Sequence, residues 1–202
     1  MTSTDDAEAR PGAHKGAVRE QLLAAAARRF YADGVTATGI NAITAEAGVA
    51  KMSLYNNFSS KADLVKAYLD ARHEEWLELY RRRLARAADA RGGVLAVFDA
   101  YADHAAFAYE GGFRGCGLLN AAAELPPGDP GRAVVRRHKE EVESLLAGHL
   151  TELLPGRDDE ARRLAEHLSF LLEGSMVRAG LEGAGTRVRH AKALAEQLLD
   201  RL

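Results

Sequence analysis

Asn120 and Glu124 stand four residues apart in an apolar stretch from Cys116 to Glu124. In a helix that spacing puts an amide and a carboxylate on one face, one above the other. Buried polar groups need partners, and a small ligand is one partner such a pair can take. Cys116 opens the same stretch and is the only cysteine of the chain. A thiol near a helix N-terminus can serve as a redox or electrophile sensor; a small buried hydrophobe is the other role open to it. One thiol cannot form a disulfide within one chain. The seven histidines show no HxxxH spacing and no CxxC occurs, so no metal site is expected. A GxSxG elbow, a GxxxxGK[ST] loop and a strand-linked GxGxxG are all absent, so neither catalysis nor a cofactor is expected.

Ligand pockets are mostly apolar and aromatic, with a few placed polar groups. On that basis Trp76, Tyr101, His104, Cys116, Asn120, Glu124, Phe170 and Glu173 are the pocket candidates. Tyr80, Phe98, Phe107 and His138 belong to the wider set. Aromatic residues at helical spacing are also what an ordinary core requires.

Helices must position these groups. Apolar residues recur three and four apart, and no alternating strand stands out, which indicates an all-α fold. Val18, Leu22, Leu23, Ala26 and Phe30 mark a first helix, with Gly34 suited to its C-cap. A second helix is expected over 40–47, closed by Gly48, and a third over 51–57. Ser59 or Ser60 caps a long helix to about residue 90, with Asp63 in its first turn. Gly92-Gly93 is expected to break it, ahead of a helix over 94–109. Gly111-Gly112 breaks again, before the short helix at 116–124. Pro126 to Pro130 is a loop. Further helices follow over 131–154, from an Asp158 or Asp159 cap to 181, and from a Thr186 cap to 202.

The stretch from Gly34 to Leu64 holds two short helices joined around Gly48, a glycine suited to the positive φ of a tight turn. Ile40, Ile43, Ala47, Val49 and Leu54 form its apolar face, which the preceding helix and Phe58 complete. Phe30 with Gly34, Thr38, Ala47-Gly48-Val49, Leu54-Tyr55, Phe58, Ser60-Lys61 and Leu64 together resemble the DNA-binding domain of TetR-family regulators. The Arg114-Gly115-Cys116-Gly117-Leu118-Leu119-Asn120 segment also looks like that of a subset of the family.

The resemblance implies a three-helix helix-turn-helix domain followed by six helices for ligand binding and dimerisation. The division expected is a disordered tail at 1–14, a DNA-binding domain at 15–60 and a ligand-binding and dimerisation domain at 61–202. The third helix would enter the major groove, with Lys51, Met52, Ser53, Asn56 and Asn57 as the side chains available to base edges. Thr38, Tyr55 and Lys61 would contact phosphate and set register, with Lys15 and Arg19 as further phosphate contacts. Ala50 stands where the family often has Ser or Thr, so the third helix lacks that N-cap side chain.

The chain's net charge is −2, yet Arg10 to Lys66 carries eight basic and four acidic residues. A basic head on an acidic body suits a nucleic-acid partner. Two late helices are rich in apolar positions, and the resemblance implies a homodimer formed through them; Leu164, Leu168, Leu171, Leu172, Met176, Leu194 and Leu198 are the interface candidates. The start of the chain does not read as a secretory signal, and no apolar run is long enough to span a membrane. The expected protein is therefore a cytoplasmic transcriptional regulator, acting as a repressor on double-stranded operator DNA and released by a small-molecule effector. The alternative is a helical ligand-binding or interaction protein that does not bind DNA.

Overall fold

A computed structural model describes residues 11–107 and 112–202, with side chains from residue 16 onward. The expected tail at 1–14, the Lys15 side chain, Tyr109 and Gly111 lie outside the described residues. Among those described, the elements are all helical: α1 (Pro11–Ala32), α2 (Ile40–Ala47), α3 (Lys51–Tyr55), α4 (Lys61–Leu84), α5 (Ala90–Ala105), α6 (Gly117–Glu124), α7 (Pro130–Leu153), α8 (Asp158–Glu182) and α9 (Thr186–Leu199). Contacts divide the chain into two compact units, Met1–Tyr68 and Leu69–Leu202.

The first unit forms around Leu22, Ala26 and Phe30 of α1, Ile43 of α2, Leu54 of α3, Phe58, and Leu64 and Tyr68 of α4, all buried. The ring edge of Tyr68 meets Phe30, with centroids 5.4 Å apart. The α2–α3 turn depends on Gly48, at φ +67°. Its N–H bonds the Ala45 carbonyl and the Val49 N–H bonds Thr44. This pair of bonds satisfies carbonyls left open at the end of α2 and needs a left-handed residue. Ser60 caps α4 by accepting from the Asp63 N–H at 3.1 Å, while the Asp63 carboxylate accepts from the Ser59 N–H at 3.0 Å.

In the second unit α5 is the central element. Gly93 to Phe98, Ala100, Tyr101 and Ala105 are all buried, the pattern of a helix covered on most sides. It packs against α7, α8 and α9. Lys192 of α9 is 2.7 Å from Asp99 of α5, and Arg83 of α4 pairs with Asp103.

The break expected at Gly92-Gly93 falls earlier. Residues 85–89 form the turn, and Asp89 caps α5 by accepting from the Gly92 N–H at 2.7 Å. The two glycines lie inside the helix, and a Cβ on Gly93 would sit 2.4 Å from the His149 ring of α7. The residue serves close helix packing and ends nothing. Neither Asp158 nor Asp159 is the cap of α8; Arg157 holds that position, and both aspartates stand in the first turn, where they favour the helix dipole. Gly185, and not Thr186, precedes α9. The third helix ends at Tyr55, shorter than expected, because Asn56 and Asn57 close it with hydrogen bonds to Met52 and Leu54.

Candidate nucleic-acid interface and body cavity

In the first unit α3 turns one side inward and the rest outward. Leu54 is fully buried, while Met52 is 68% and Tyr55 47% exposed. Lys51 and Asn56 are also exposed, and Ser53 is half-buried. Five of the expected base or phosphate contacts thus share one small helical end. Asn57 is held differently: its amide donates to the Ser53 carbonyl at 2.7 Å. Ala50 supplies no side-chain cap to α3.

Thr38 departs from expectation. It is 3% exposed, and its hydroxyl donates to the Gly34 carbonyl at 2.6 Å. This side chain closes the α1–α2 connection in place of facing outward. Lys61 stands at the start of α4 and reaches the Thr36 carbonyl at 3.3 Å. Arg19 lies over the Phe58 ring, 4.9 Å from its centroid.

A feature the sequence pattern did not single out is the clamp between α1 and α2. Glu46 pairs with Arg28 at 2.5 Å and with Arg29. Burial works against the charge on Glu46, but the hydrogen bonds from Arg28 and Arg29 outweigh it and hold the carboxyl below its usual range. Two of the eight basic residues counted in the head therefore hold helices together. The signal was the opposite charge on two amphipathic helices, which sequence spacing alone cannot pair.

The second unit contains a small, partly open cavity of about 20 Å³. Trp76, Tyr101, His104 and Cys116, four of the pocket candidates, line it with His138. Among the described residues, Arg72, Gly117 and Leu118 also line it and were not anticipated. The other candidates lie elsewhere. Asn120 donates its amide to the Arg114 carbonyl at 2.9 Å. Glu124 is exposed, so the pair four residues apart does not share a buried face. Phe170 is 65% exposed on α8. Glu173 does not line the cavity; it pairs with Lys139 at 2.7 Å.

Lys139 organises the wall. Its ammonium lies 3.3 Å from Tyr101 Oη and 3.7 Å from Cys116 Sγ. An ammonium has donors only, so Tyr101 accepts there and turns its own proton toward His138 Nε2, 3.4 Å away. His138 then carries its proton on Nδ1 and donates to His73 Nδ1 at 2.9 Å. His73 Nε2 is left to donate to Glu141 at 3.3 Å. One direction of donation thus runs from α7 to α5, back to α7, on to α4 and again to α7. Burial, reinforced by Lys139 and neighbouring histidines, pushes His138 down to about 2. Burial with Arg72 and Lys139 pushes His104 down to about 4. Desolvation opposes the charge on Lys139, but Cys116, Tyr101 and Glu173 hold it above its ordinary value.

On the outer side of the second unit, Leu168, Leu172 and Met176 are fully buried in the chain's own core. These three interface candidates face inward. Leu164, Leu171 and Leu198 are half-buried and Leu194 is 49% exposed. The apolar side chains α8 leaves outward are Phe170, Val177 at 54% and Leu181 at 84% exposure. The sequence stripe mixed both sides because α8 is apolar on each. Among the described residues, no group of His, Cys, Asp and Glu could hold a metal ion, and no helix is long and apolar enough to cross a membrane.

Residues 22–68 match the model of bacterial regulatory proteins of the tetR family. The chain is 40% identical over 76 residues to the HTH-type transcriptional regulator TtgR of Pseudomonas putida, covering 38% of this chain and 34% of that protein. Such matches span only about a third of the length of the curated relatives. Solved structures extend the likeness over nearly the whole chain. A TetR-family transcriptional regulator from Streptomyces coelicolor superposes with a TM-score of 0.83 and 31% identity, over 92% of this chain and 96% of that one. A TetR transcriptional regulator from Chloroflexus aurantiacus gives a TM-score of 0.80 and 26% identity, over 93% and 96%.

Proposed function

Since this chain belongs to the TetR family of DNA-binding transcriptional regulators, we propose that it is a cytoplasmic, homodimeric repressor released from its operator by a small molecule. No catalytic step is part of this reading. The observation that carries it is the exposed end of α3, where Lys51, Met52, Tyr55 and Asn56 project from a helix anchored by buried Leu54. A major groove about 12 Å wide admits one such helix. Lys51 is suited to guanine, Asn56 to adenine and Met52 to a thymine methyl. Tyr55 and Lys61 are assigned to phosphate, where they set register and carry no sequence information. The domains assigned are residues 15–60 for DNA and 61–202 for ligand and partner. Helix α4 starts in the first compact unit and ends in the second, a covalent route between them.

Selection of bound duplexes from a random library tests this reading. The wild type is expected to enrich a palindrome, since a two-fold dimer reads two half-sites. Tyr55→Ala with Lys61→Ala is expected to weaken binding to that duplex about a hundredfold, roughly 2.7 kcal/mol, and to flatten its salt dependence. Enrichment unchanged in the double variant would remove these residues from the interface.

The dimer is assigned to the face of α8 and α9 that carries Phe170, Val177, Leu181 and Leu194. Exposed large apolar side chains that gather into a patch mark interaction sites. Val177→Glu with Leu181→Glu is expected to give a folded monomer in sedimentation, with helicity intact, because neither side chain belongs to the core. A dimer that persists at micromolar concentration would place the interface elsewhere.

A further inference from the structure

Helix α3 is five residues long, and two donors compete for one carbonyl at its end. The N–H groups of Asn57 and Phe58 both bond the Leu54 carbonyl, at 3.0 and 2.8 Å. In a continuing α-helix the N–H of residue 57 would instead meet the carbonyl of residue 53. The Ser53 carbonyl receives the Asn57 side chain in its place, at 2.7 Å. The other end of α3 has no such help, since Ala50 offers no side-chain cap. A helix this short gains little from its own hydrogen bonds. A side chain that completes its last turn therefore weighs in fixing where the helix points.

The same bond limits what Asn57 can do with DNA. A carbonyl only accepts, so the amide nitrogen of Asn57 must face Ser53. Turned over, the amide would set two carbonyl oxygens against each other. In the orientation required, Asn57 Oδ1 is buried and has no hydrogen-bond partner among the described residues. Asparagine reads adenine with both ends of its amide, the oxygen accepting from N6 and the nitrogen donating to N7. An oxygen closed off inside the protein cannot take the N6 donor. Asn56, next in the chain, is exposed. It follows Met52 by four residues, on the same side of the helix.

We infer that the two adjacent asparagines have different tasks: Asn56 reads the base, and Asn57 is a positioning residue that holds the end of α3 through the Ser53 carbonyl and reads none. The inference rests on the DNA-binding reading above and takes Asn57 out of the base contacts that its type and place suggest. The two tasks leave different marks on a bound sequence. A lost reader relaxes the preference at its own base pair. A lost brace loosens Lys51, Met52 and Asn56 together, so affinity falls without a change in which base is preferred anywhere.

Asn56→Ala, Asn57→Ala and Asn57→Ser, each in the full-length protein, are passed through the duplex selection beside the wild type. A serine hydroxyl donates to the carbonyl four residues back, so Asn57→Ser keeps the brace and discards the amide, while Asn57→Ala discards both. Asn56→Ala is expected to lose about tenfold of base preference, or about 1.4 kcal/mol, at one position of each half-site. Asn57→Ala is expected to keep every preferred base and to bind the wild-type palindrome about tenfold more weakly. Asn57→Ser is expected to recover most of that loss. A preference lost at one position in both Asn57 variants would make Asn57 a reader and overturn the inference. Wild-type affinity in Asn57→Ala, no recovery in Asn57→Ser, or an Asn56→Ala motif with every preference intact would overturn it as well. Hydrogen exchange at the amides of residues 53–58 in the free protein gives a readout that needs no DNA. It is expected to be faster in Asn57→Ala and close to wild type in Asn57→Ser. If the wild type enriches no duplex, the DNA-binding reading falls, and exchange alone decides the brace: equal rates in all three proteins would overturn it.

Discussion

Acidification from neutral pH to about pH 4.5 destabilises the protein by roughly 3–4 kcal/mol, before most carboxylates titrate. The cause is the pair of neutral histidines at the cavity. His138 is 2% exposed and held at about 2, and His104 is held at about 4, both below the ordinary 6.5. Above pH 6.5 neither the folded nor the unfolded chain protonates them, so they cost nothing. Below it the unfolded chain takes up protons that the folded chain refuses. Stability is therefore present above the unfolded value and falls as the pH drops toward the folded value. The slope is about 1.4 kcal/mol per pH unit for a fully buried histidine, and smaller for His104, which keeps partial exposure. Urea unfolding across a pH series measures it. His138→Phe is expected to remove about one such slope while keeping the ring's volume. A stability curve flat between pH 6.5 and about 4.5 would mean that His138 is protonated in the folded protein.

Gly180→Ala lowers stability by up to roughly 2 kcal/mol, against the usual direction for a glycine inside a helix. Helix propensity alone would reward the change by about 1 kcal/mol. A Cβ at Gly180 of α8, however, would lie 2.7 Å from the Gly115 nitrogen and 2.8 Å from the Arg114 carbonyl carbon. Those are backbone atoms, so no side chain can swing aside, and overpacking of this kind typically costs 1–3 kcal/mol. The displaced segment leads directly into Cys116, Gly117 and Leu118 of the cavity wall, so ligand affinity is expected to fall as well. Gly148→Ala in α7 is the control. A Cβ there meets nothing within 4 Å, and the position is exposed. It is expected to stabilise by up to about 1 kcal/mol. Thermal unfolding of both variants gives the comparison; the same sign for both would show that the Gly115–Gly180 approach yields easily.

Local chemistry determined what the sequence shows by itself. Apolar spacing of three and four is a property of one helix, so the all-α class and most helices were legible without neighbours. The joint pattern from Phe30 to Leu64 was legible too, because a helix-turn-helix is a local unit whose glycine, apolar face and capping serine lie close in sequence. Trp76, Tyr101, His104 and Cys116 stood out by residue type, and the folded chain brings them to one cavity. Only the tertiary structure decided what depends on partners remote in sequence. Gly93 read as a helix breaker until His149 of α7 was found against it. Thr38 read as an outward contact until the Gly34 carbonyl claimed its hydroxyl. Lys139 was not singled out by the sequence, yet it pairs with Glu173, thirty-four residues on, beside Tyr101 and Cys116 of the cavity wall. Leu168, Leu172 and Met176 looked the same as Phe170 and Leu181 in the sequence, because a helix covered on one side by its own core and apolar on the other carries two stripes of one composition. Which stripe faces inward is set by α5, α7 and α9, which pack against α8, and no spacing within α8 encodes that choice.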